Sequence, residues 1–252
     1  MERFDRITPA WPAPASVEAF STTRHGGVSH GAYHSFNLGA ACGDEALAVA
    51  ENRRRLGQAL PSEPCWLNQK HGTRLIHLKD WQPSIEADAA WTDQPGQVCV
   101  VLTADCLPVL LAEKHGRLVA AVHAGWRGLA AGIIENVVQA LPASASDLIA
   151  WIGPAISNLN YEVDNRVRDA FLRLDASFSD CFEPNRTGQN QHYLADLKAI
   201  ALAQLQAAGV RSSVDAKLCT SFDSERFFSH RRDQGHSGRQ ASLIWIKPDA
   251  ER

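Results

Sequence analysis

An α+β fold built on mixed sheets is what this sequence predicts, and two observations carry it. Apolar strand-like runs and helix-periodic stretches follow one another without a regular βαβ rhythm, so a purely parallel sheet is not expected. No Gly-x-Gly-x-x-Gly and no Walker-type loop occurs, so neither nucleotide fingerprint is present. At 252 residues the chain is long enough for one large domain or two small ones.

The elements follow in order. The Pro-rich residues 9–14 are expected to be extended, and 17–23 to form a first strand ending at the turn Gly26-Gly27. Residues 44–60 have helical composition, with Asp44 as candidate N-cap. Residues 66–69 and 75–78 are short strand candidates on either side of a turn at His71. Residues 98–102 and 118–122 are apolar runs that predict buried strands. A helix is expected over 128–141, where Leu129, Ile133, Ile134, Val137 and Leu141 recur at helical spacing. Residues 148–152 predict a strand stopped by Gly153-Pro154. Helices over 165–174 and 194–208 follow, the second closed by Gly209. A buried strand over 241–246 ends the fold.

Composition narrows the function. Net charge is −3 with both signs interspersed, which argues against nucleic acid as the main partner. No apolar run approaches the ~20 residues that span a bilayer, and residues 1–5 lack the pattern of a signal peptide. The six cysteines are scattered, too few for a disulfide framework in a chain this long. A reduced cytoplasmic setting follows, in which free thiols can serve as metal ligands.

Three short stretches carry the chemistry: Gln69-Lys70-His71-Gly72, Ala104-Asp105-Cys106 and His123-Ala124-Gly125-Trp126-Arg127-Gly128. Cys106 and His123 each follow an apolar run. Two neighbouring strands would bring them to one sheet edge, and His71 would complete a set of two nitrogens and one sulfur. Such a set suits a catalytic zinc, which takes three protein ligands and keeps a fourth position open. Taken singly, a lone cysteine after an apolar strand is usually a small core residue, and a histidine at a strand end more often makes a structural hydrogen bond than binds metal. No Cys-x-x-Cys occurs, so this is not a zinc finger or ribbon. Asp105 is a candidate general base, or a carboxylate that fixes an imidazole tautomer, or a plain turn residue.

Four further places are candidates for substrate. Arg24, beside the glycine turn, would form an anion cradle or remain a solvated surface residue. Asn37, between apolar neighbours, would orient a substrate or cap a turn. Arg127 opens the expected helix, where free N–H groups favour an anion, or is a surface ion-pair partner beside a core Trp126. Arg231 and Arg232, before the last strand, would close over an anionic substrate or sit in a solvated loop.

These motifs appear in one order with Ser35-Phe36-Asn37-Leu38-Gly39, Ile152-Gly153-Pro154-Ala155-Ile156 and Arg231-Arg232-Asp233. The chain thereby resembles the YfiH family, also called laccase-domain proteins or multicopper polyphenol oxidases, from about residue 18 to residue 246. The resemblance implies a single domain over 1–252, folded as a four-layer α/β/β/α sandwich. It implies zinc on His71, Cys106 and His123. It also implies phosphorolysis of purine nucleosides to free base and ribose 1-phosphate, with adenosine deamination and cleavage of 5′-methylthioadenosine beside it. The older family name implies copper and phenol oxidation. That chemistry needs a blue-copper site and a three-copper cluster, yet among ten histidines no His-x-His pair occurs. Copper is still a competing metal for the single trio, because Cu²⁺ outranks Zn²⁺ in intrinsic affinity. The same motifs also admit a peptidoglycan-editing hydrolase using Cys106 as nucleophile and a non-enzymatic zinc-stabilised interaction domain.

Overall fold

Strands that are apolar at every position are buried on both faces, and several such strands organise this chain. The structure is a computed structural model that describes residues 4–185 and 191–248. One sheet has the order β1-β2-β13-β5, with β1 at Arg6–Ile7, β2 at Val17–Thr22, β5 at Val98–Thr103 and β13 at Gln240–Ile246, all antiparallel. A six-stranded sheet has the order β12-β8-β6-β7-β4-β3. Its strands are β3 at Leu75–His77, β4 at Ala89–Thr92, β6 at Leu107–Glu113, β7 at Val119–Ala124, β8 at Leu148–Ile152 and β12 at Ser212–Asp215. Here β3 runs parallel to β4 and β12 parallel to β8, while the other pairs are antiparallel, so the expected mixed sheet is present. Three short strands, β9 (Glu162–Asp164), β10 (Phe182–Pro184) and β11 (His192–Ala195), make a small antiparallel sheet. The helices are α1 (Ala46–Gly57), α2 (Trp126–Ala130), α3 (Ile133–Ala140), α4 (Asn165–Leu172) and α5 (Leu197–Ala207).

The period of two along the central strands sorts their side chains onto opposite faces. Val98, Val100, Leu243 and Trp245 pack with Phe36, Leu38 and Leu56 of α1. Their neighbours Cys99, Val101, Ile244 and Ile246 turn the other way, onto Leu110, Ala112, Val119 and Ala121 of the six-stranded sheet. The remaining face of that sheet, with Val109, Leu111, Ala120 and Val122, is covered by Ile133, Val137, Ile200 and Leu205 from α3 and α5. Each such side chain contributes about 1.5–3 kcal/mol when fully buried. A one-residue slip of β13 would reverse every one of its side chains, so the pattern fixes the register.

Several boundaries differ from expectation. The helix expected over 128–141 is broken into α2 and α3 at Gly132, whose φ of +82° is left-handed. The helix expected over 194–208 begins later, because Leu194 and Ala195 complete β11 and the Asp196 carboxylate caps the N–H of Ala199 at 2.9 Å. Asp44 does not cap α1: its carboxylate accepts from the Ser29 hydroxyl and the Asn37 amide. Residues 66–69 form one isolated bridge, from Asn68 to Glu86, and the Gln69 amide clasps both backbone groups of Leu102 in place of a strand partner.

Candidate metal centre and active-site cavity

The ends of β6 and β7 place two of the three expected ligands. In the β6–β7 register Pro108 faces His123 and Leu107 faces Ala124, so Cys106, just before β6, lies beside the end of β7. The expected partner of β7 was the strand before Cys106. That strand, β5, belongs to the other sheet, and the turn at 104–106 carries the chain across, with Asp105 at a φ of +92°. His71 arrives from a separate turn, itself at a φ of +58°.

His71, Cys106 and His123 come together, with ligand atoms all within 4.8 Å of one another. Cys106 Sγ and His71 Nε2 are 3.8 Å apart. A tetrahedral zinc with bonds of ~2.3 Å to sulfur and ~2.05 Å to nitrogen would set them about 3.6 Å apart. The donor set and its spacing therefore fit such an ion. The two imidazoles meet edge to face at 77°, with centroids 4.7 Å apart. His123 is buried, Cys106 half-buried and His71 exposed, so the trio opens to one side.

Asp88 holds the trio together, and sequence reasoning missed it. Its carboxylate accepts from the His123 Nδ1–H at 2.8 Å, which leaves Nε2 for the ligand side. It also accepts three backbone N–H bonds from the His71 turn: Lys70 at 3.1 Å, His71 at 2.8 Å and Gly72 at 2.7 Å. One carboxylate thus fixes the tautomer of one imidazole and the backbone that carries the other. Burial pushes the Asp88 carboxyl up, but its bonds to His123 and to the turn outweigh this and hold it below the usual range. At Cys106, burial opposes the thiolate, yet the His123 and His71 imidazoles overcome it and bring the thiol down to about 6. At His123, burial opposes the proton, while the Cys106 thiolate and Asp88 raise it to about 9. Gly125 completes the corner at an ordinary φ of −76°. A Cβ there would lie 2.9 Å from His71 Cδ2 and 3.0 Å from Cys106 Sγ.

The trio sits in the wall of a cavity of about 850 Å³, which Arg127, Tyr161 and Arg231 also line. Arg127 is exposed and lies over the Trp126 ring. Arg231 stacks on Tyr161 and donates one N–H to the Glu162 carbonyl. The Tyr161 hydroxyl, pushed well above its ordinary range by burial and the nearby Cys106 charge, stays neutral as a donor.

The other expected residues have different partners. The Arg24 guanidinium bonds the carbonyls of His34 and Ser224 and lies over Phe228, away from the cavity. Asn37 is fully buried and ties Gly39 and Arg239 N–H groups to Asp44. Arg232 pairs with Asp233 and bonds the carbonyls of Thr220 and Phe227. These three belong to the scaffold rather than the cavity wall. Asp105 is in the wall, but both its oxygens are occupied, by the Thr220 and Ser229 hydroxyls and the Arg231 N–H.

Two imidazoles, both anchored by a buried carboxylate, and one thiolate-forming cysteine at the open end of two stacked sheets make a cluster that could hold one metal ion. Residues 18–247 match the family described as multi-copper polyphenol oxidoreductase laccase. The chain is 46% identical to the purine nucleoside phosphorylase YfiH of Escherichia coli, over 95% of this chain and 98% of that one. It is 44% identical to a purine nucleoside phosphorylase of Pseudomonas aeruginosa, over 96% and 98%. A crystal structure of a Neisseria meningitidis protein superposes with a TM-score of 0.91 at 42% identity, covering 96% of this chain and 99% of that chain. The chain belongs to this laccase-type family, and the YfiH purine nucleoside phosphorylase of Escherichia coli is similar to it along nearly the whole length of both chains.

Proposed function

We propose that residues 1–252 act as one domain, a four-layer α/β/β/α sandwich, and that it is a zinc-dependent purine nucleoside phosphorylase. The observation that carries this reading is the His71, Cys106 and His123 trio in one cavity wall with Arg127, which forms no ion pair among the described residues, and the half-engaged Arg231. The names of the relatives point the same way. Among the described residues this is the one such cluster of histidine, cysteine and carboxylate ligands, which favours a single ion over a multicopper assembly. Zinc held by these three side chains would supply Lewis acidity at its open fourth position.

In phosphorolysis a phosphate oxygen attacks the anomeric carbon, the glycosidic bond breaks, and the base leaves. Arg127 and Arg231 hold the phosphate by charge-assisted hydrogen bonds as positive charge develops on the sugar. The neutral Tyr161 hydroxyl donates into the same space. Asp105 holds the backbone of Arg231 rather than moving a proton, since each of its oxygens already accepts. Cleavage of 5′-methylthioadenosine and deamination of adenosine belong to the same reading, because each presents a purine to the same wall.

A second reading rests on one observation. Asp88, His123 and Cys106 form a line of carboxylate, imidazole and thiol, as in cysteine nucleophile catalysis. That line suits a metal-free hydrolase of the peptidoglycan-editing kind. One experiment separates the readings: elemental analysis of protein purified without added metal, with phosphate-dependent cleavage of adenosine as the assay. About one zinc per chain and phosphate-dependent release of adenine are expected, both lost in Cys106→Ala. Full zinc occupancy in Cys106→Ala would reject the ligand assignment. Copper in place of zinc would favour the oxidase, and nucleoside turnover that survives metal removal would reject the zinc dependence. No turnover of any nucleoside would reject the phosphorylase and leave the hydrolase or an interaction domain.

A further inference from the structure

The metal trio occupies only one part of the cavity. The cavity crosses the ends of both sheets: Trp126 and Tyr161 on its wall pack with the α3–α5 layer, whereas Trp66 and Leu102 pack with the α1 layer. The trio stands at the end of the six-stranded sheet, and the α1 layer lies on the far face of the four-stranded sheet stacked on it. At about 850 Å³ the space lies toward the top of the ~300–1,000 Å³ range of small-molecule sites. A nucleoside at the trio leaves the α1 side free.

That side carries two guanidiniums, from Arg53 and Arg239. Arg53 lies over the Trp66 ring, its guanidinium carbon 3.9 Å from the centroid, and among the described residues donates only its Nε–H, to the Leu38 carbonyl. Arg239 donates from one terminal nitrogen to the carbonyls of Ser237 and Gly238. Neither forms an ion pair among the described residues, and each keeps N–H groups unclaimed by protein. Burial lowers the Arg53 guanidinium from its usual value, and the Glu63 carboxylate opposes this in part. A partly desolvated cation with no direct ion pair is stabilised by an anion in the cavity. The wall is shaped around Arg239, since a Cβ on Gly39 would approach its Cγ to 2.7 Å. Along the same wall the Thr103 hydroxyl, 2% exposed, has no hydrogen-bond partner among the described residues.

We propose that Arg53 and Arg239 form a second anion subsite, which takes a phosphate group carried by a purine substrate larger than a nucleoside, of the nucleoside 5′-phosphate class. The inference rests on the purine reading of the trio. Phosphate chemistry at this place has two sources, a substrate phosphate ester or the free phosphate co-substrate, and the test separates them.

Binding of inosine, inosine 5′-phosphate and inorganic phosphate to the metal-loaded protein is measured by calorimetry. Inosine and inosine 5′-phosphate are titrated in phosphate-free buffer, where phosphorolysis cannot run. Inosine 5′-phosphate is expected to bind at least tenfold more tightly than inosine. Arg53→Gln and Arg239→Gln should each remove about tenfold of that advantage and leave inosine binding unchanged. Equal affinity of the two ligands for wild type overturns the proposal, and so does an advantage that survives both substitutions. If the variants instead weaken inorganic phosphate tenfold and inosine 5′-phosphate has no advantage, the pair serves the co-substrate and the proposal falls. Should the Gln variants fail to fold, the wild-type affinity ratio decides. Failure of inosine itself to bind would count against the purine reading, which is a separate outcome from a missing phosphate advantage.

Discussion

Replacing Asp88 with Asn tests whether one carboxylate organises the metal corner. Asp88 is 1% exposed and accepts four hydrogen bonds, two on each oxygen. Asparagine keeps one oxygen and turns the other position into a donor. Whichever way the amide sits, two N–H groups lose their acceptor and face another donor. Each unsatisfied buried donor costs ~1–3 kcal/mol, so the pair costs about 4 kcal/mol. At ~2–4 °C per kcal/mol for a chain of this size, Tm should fall by about 8–16 °C. Metal affinity should fall ~10–100-fold, as it does when the partner of a ligating imidazole is removed. The assays are thermal unfolding of the metal-free variant and zinc titration against a competing chelator. An Asp88→Asn protein within about 2 °C of wild type, with unchanged zinc affinity, would refute the organising role of Asp88.

Arg127→Ala and Arg231→Ala should each raise the KM for phosphate ~10–100-fold, the equivalent of one charge-assisted hydrogen bond of ~1.5–3 kcal/mol. Arg24→Ala should leave that KM within about twofold and instead lower stability by ~1–3 kcal/mol, since two carbonyls and the Phe228 ring lose their partner; steady-state kinetics and denaturant unfolding read both, and a large phosphate effect from Arg24 alone would reverse the assignment. Glu113 supplies a test by pH. Burial pushes its carboxyl up, but the Arg117 guanidinium and the Arg117 and His115 N–H groups outweigh this and hold it low. Its stabilisation is therefore complete above the unfolded value of ~4.3 and is lost as pH falls through the lower folded value. Glu113→Gln should flatten the acid limb of Tm against pH, and an unchanged acid limb would exclude this residue as a source of it.

The strands were legible where burial on both faces makes a largely apolar run, as at 98–102 in β5, 119–122 in β7, throughout β8 and at 243–246 in β13. The trio was legible for a related reason: a thiol or imidazole at the end of such a run has few other places to go than a sheet edge. Asp88 was not. It stands before Ala89-Ala90 like any turn acid, and its role comes from backbone N–H groups 16–18 residues earlier and an imidazole 35 residues later. The arginines were indistinguishable in sequence for the same reason. Whether a guanidinium is free depends on carbonyls as distant as Ser224 for Arg24 or Glu162 for Arg231. Local propensity read α2 and α3 as one helix over 128–141, because leucine and isoleucine keep their period through Gly132, which reverses the backbone.

Gly125 and Gly132 are seven positions apart and are glycine for opposite reasons. Around Gly132 nothing lies within 4 Å of a would-be Cβ, so only its backbone torsion is demanding. Asparagine, which tolerates the left-handed region, is the natural replacement there. Gly125 has a torsion any residue adopts, but no room for a single methyl group beside His71 and Cys106. Sequence drift can therefore pass through the first position and is closed at the second. A side chain at 125 would not unfold the chain locally; it would wedge the two donors apart. The smallest residue in the motif thus sets how closely a thiol and an imidazole approach one another.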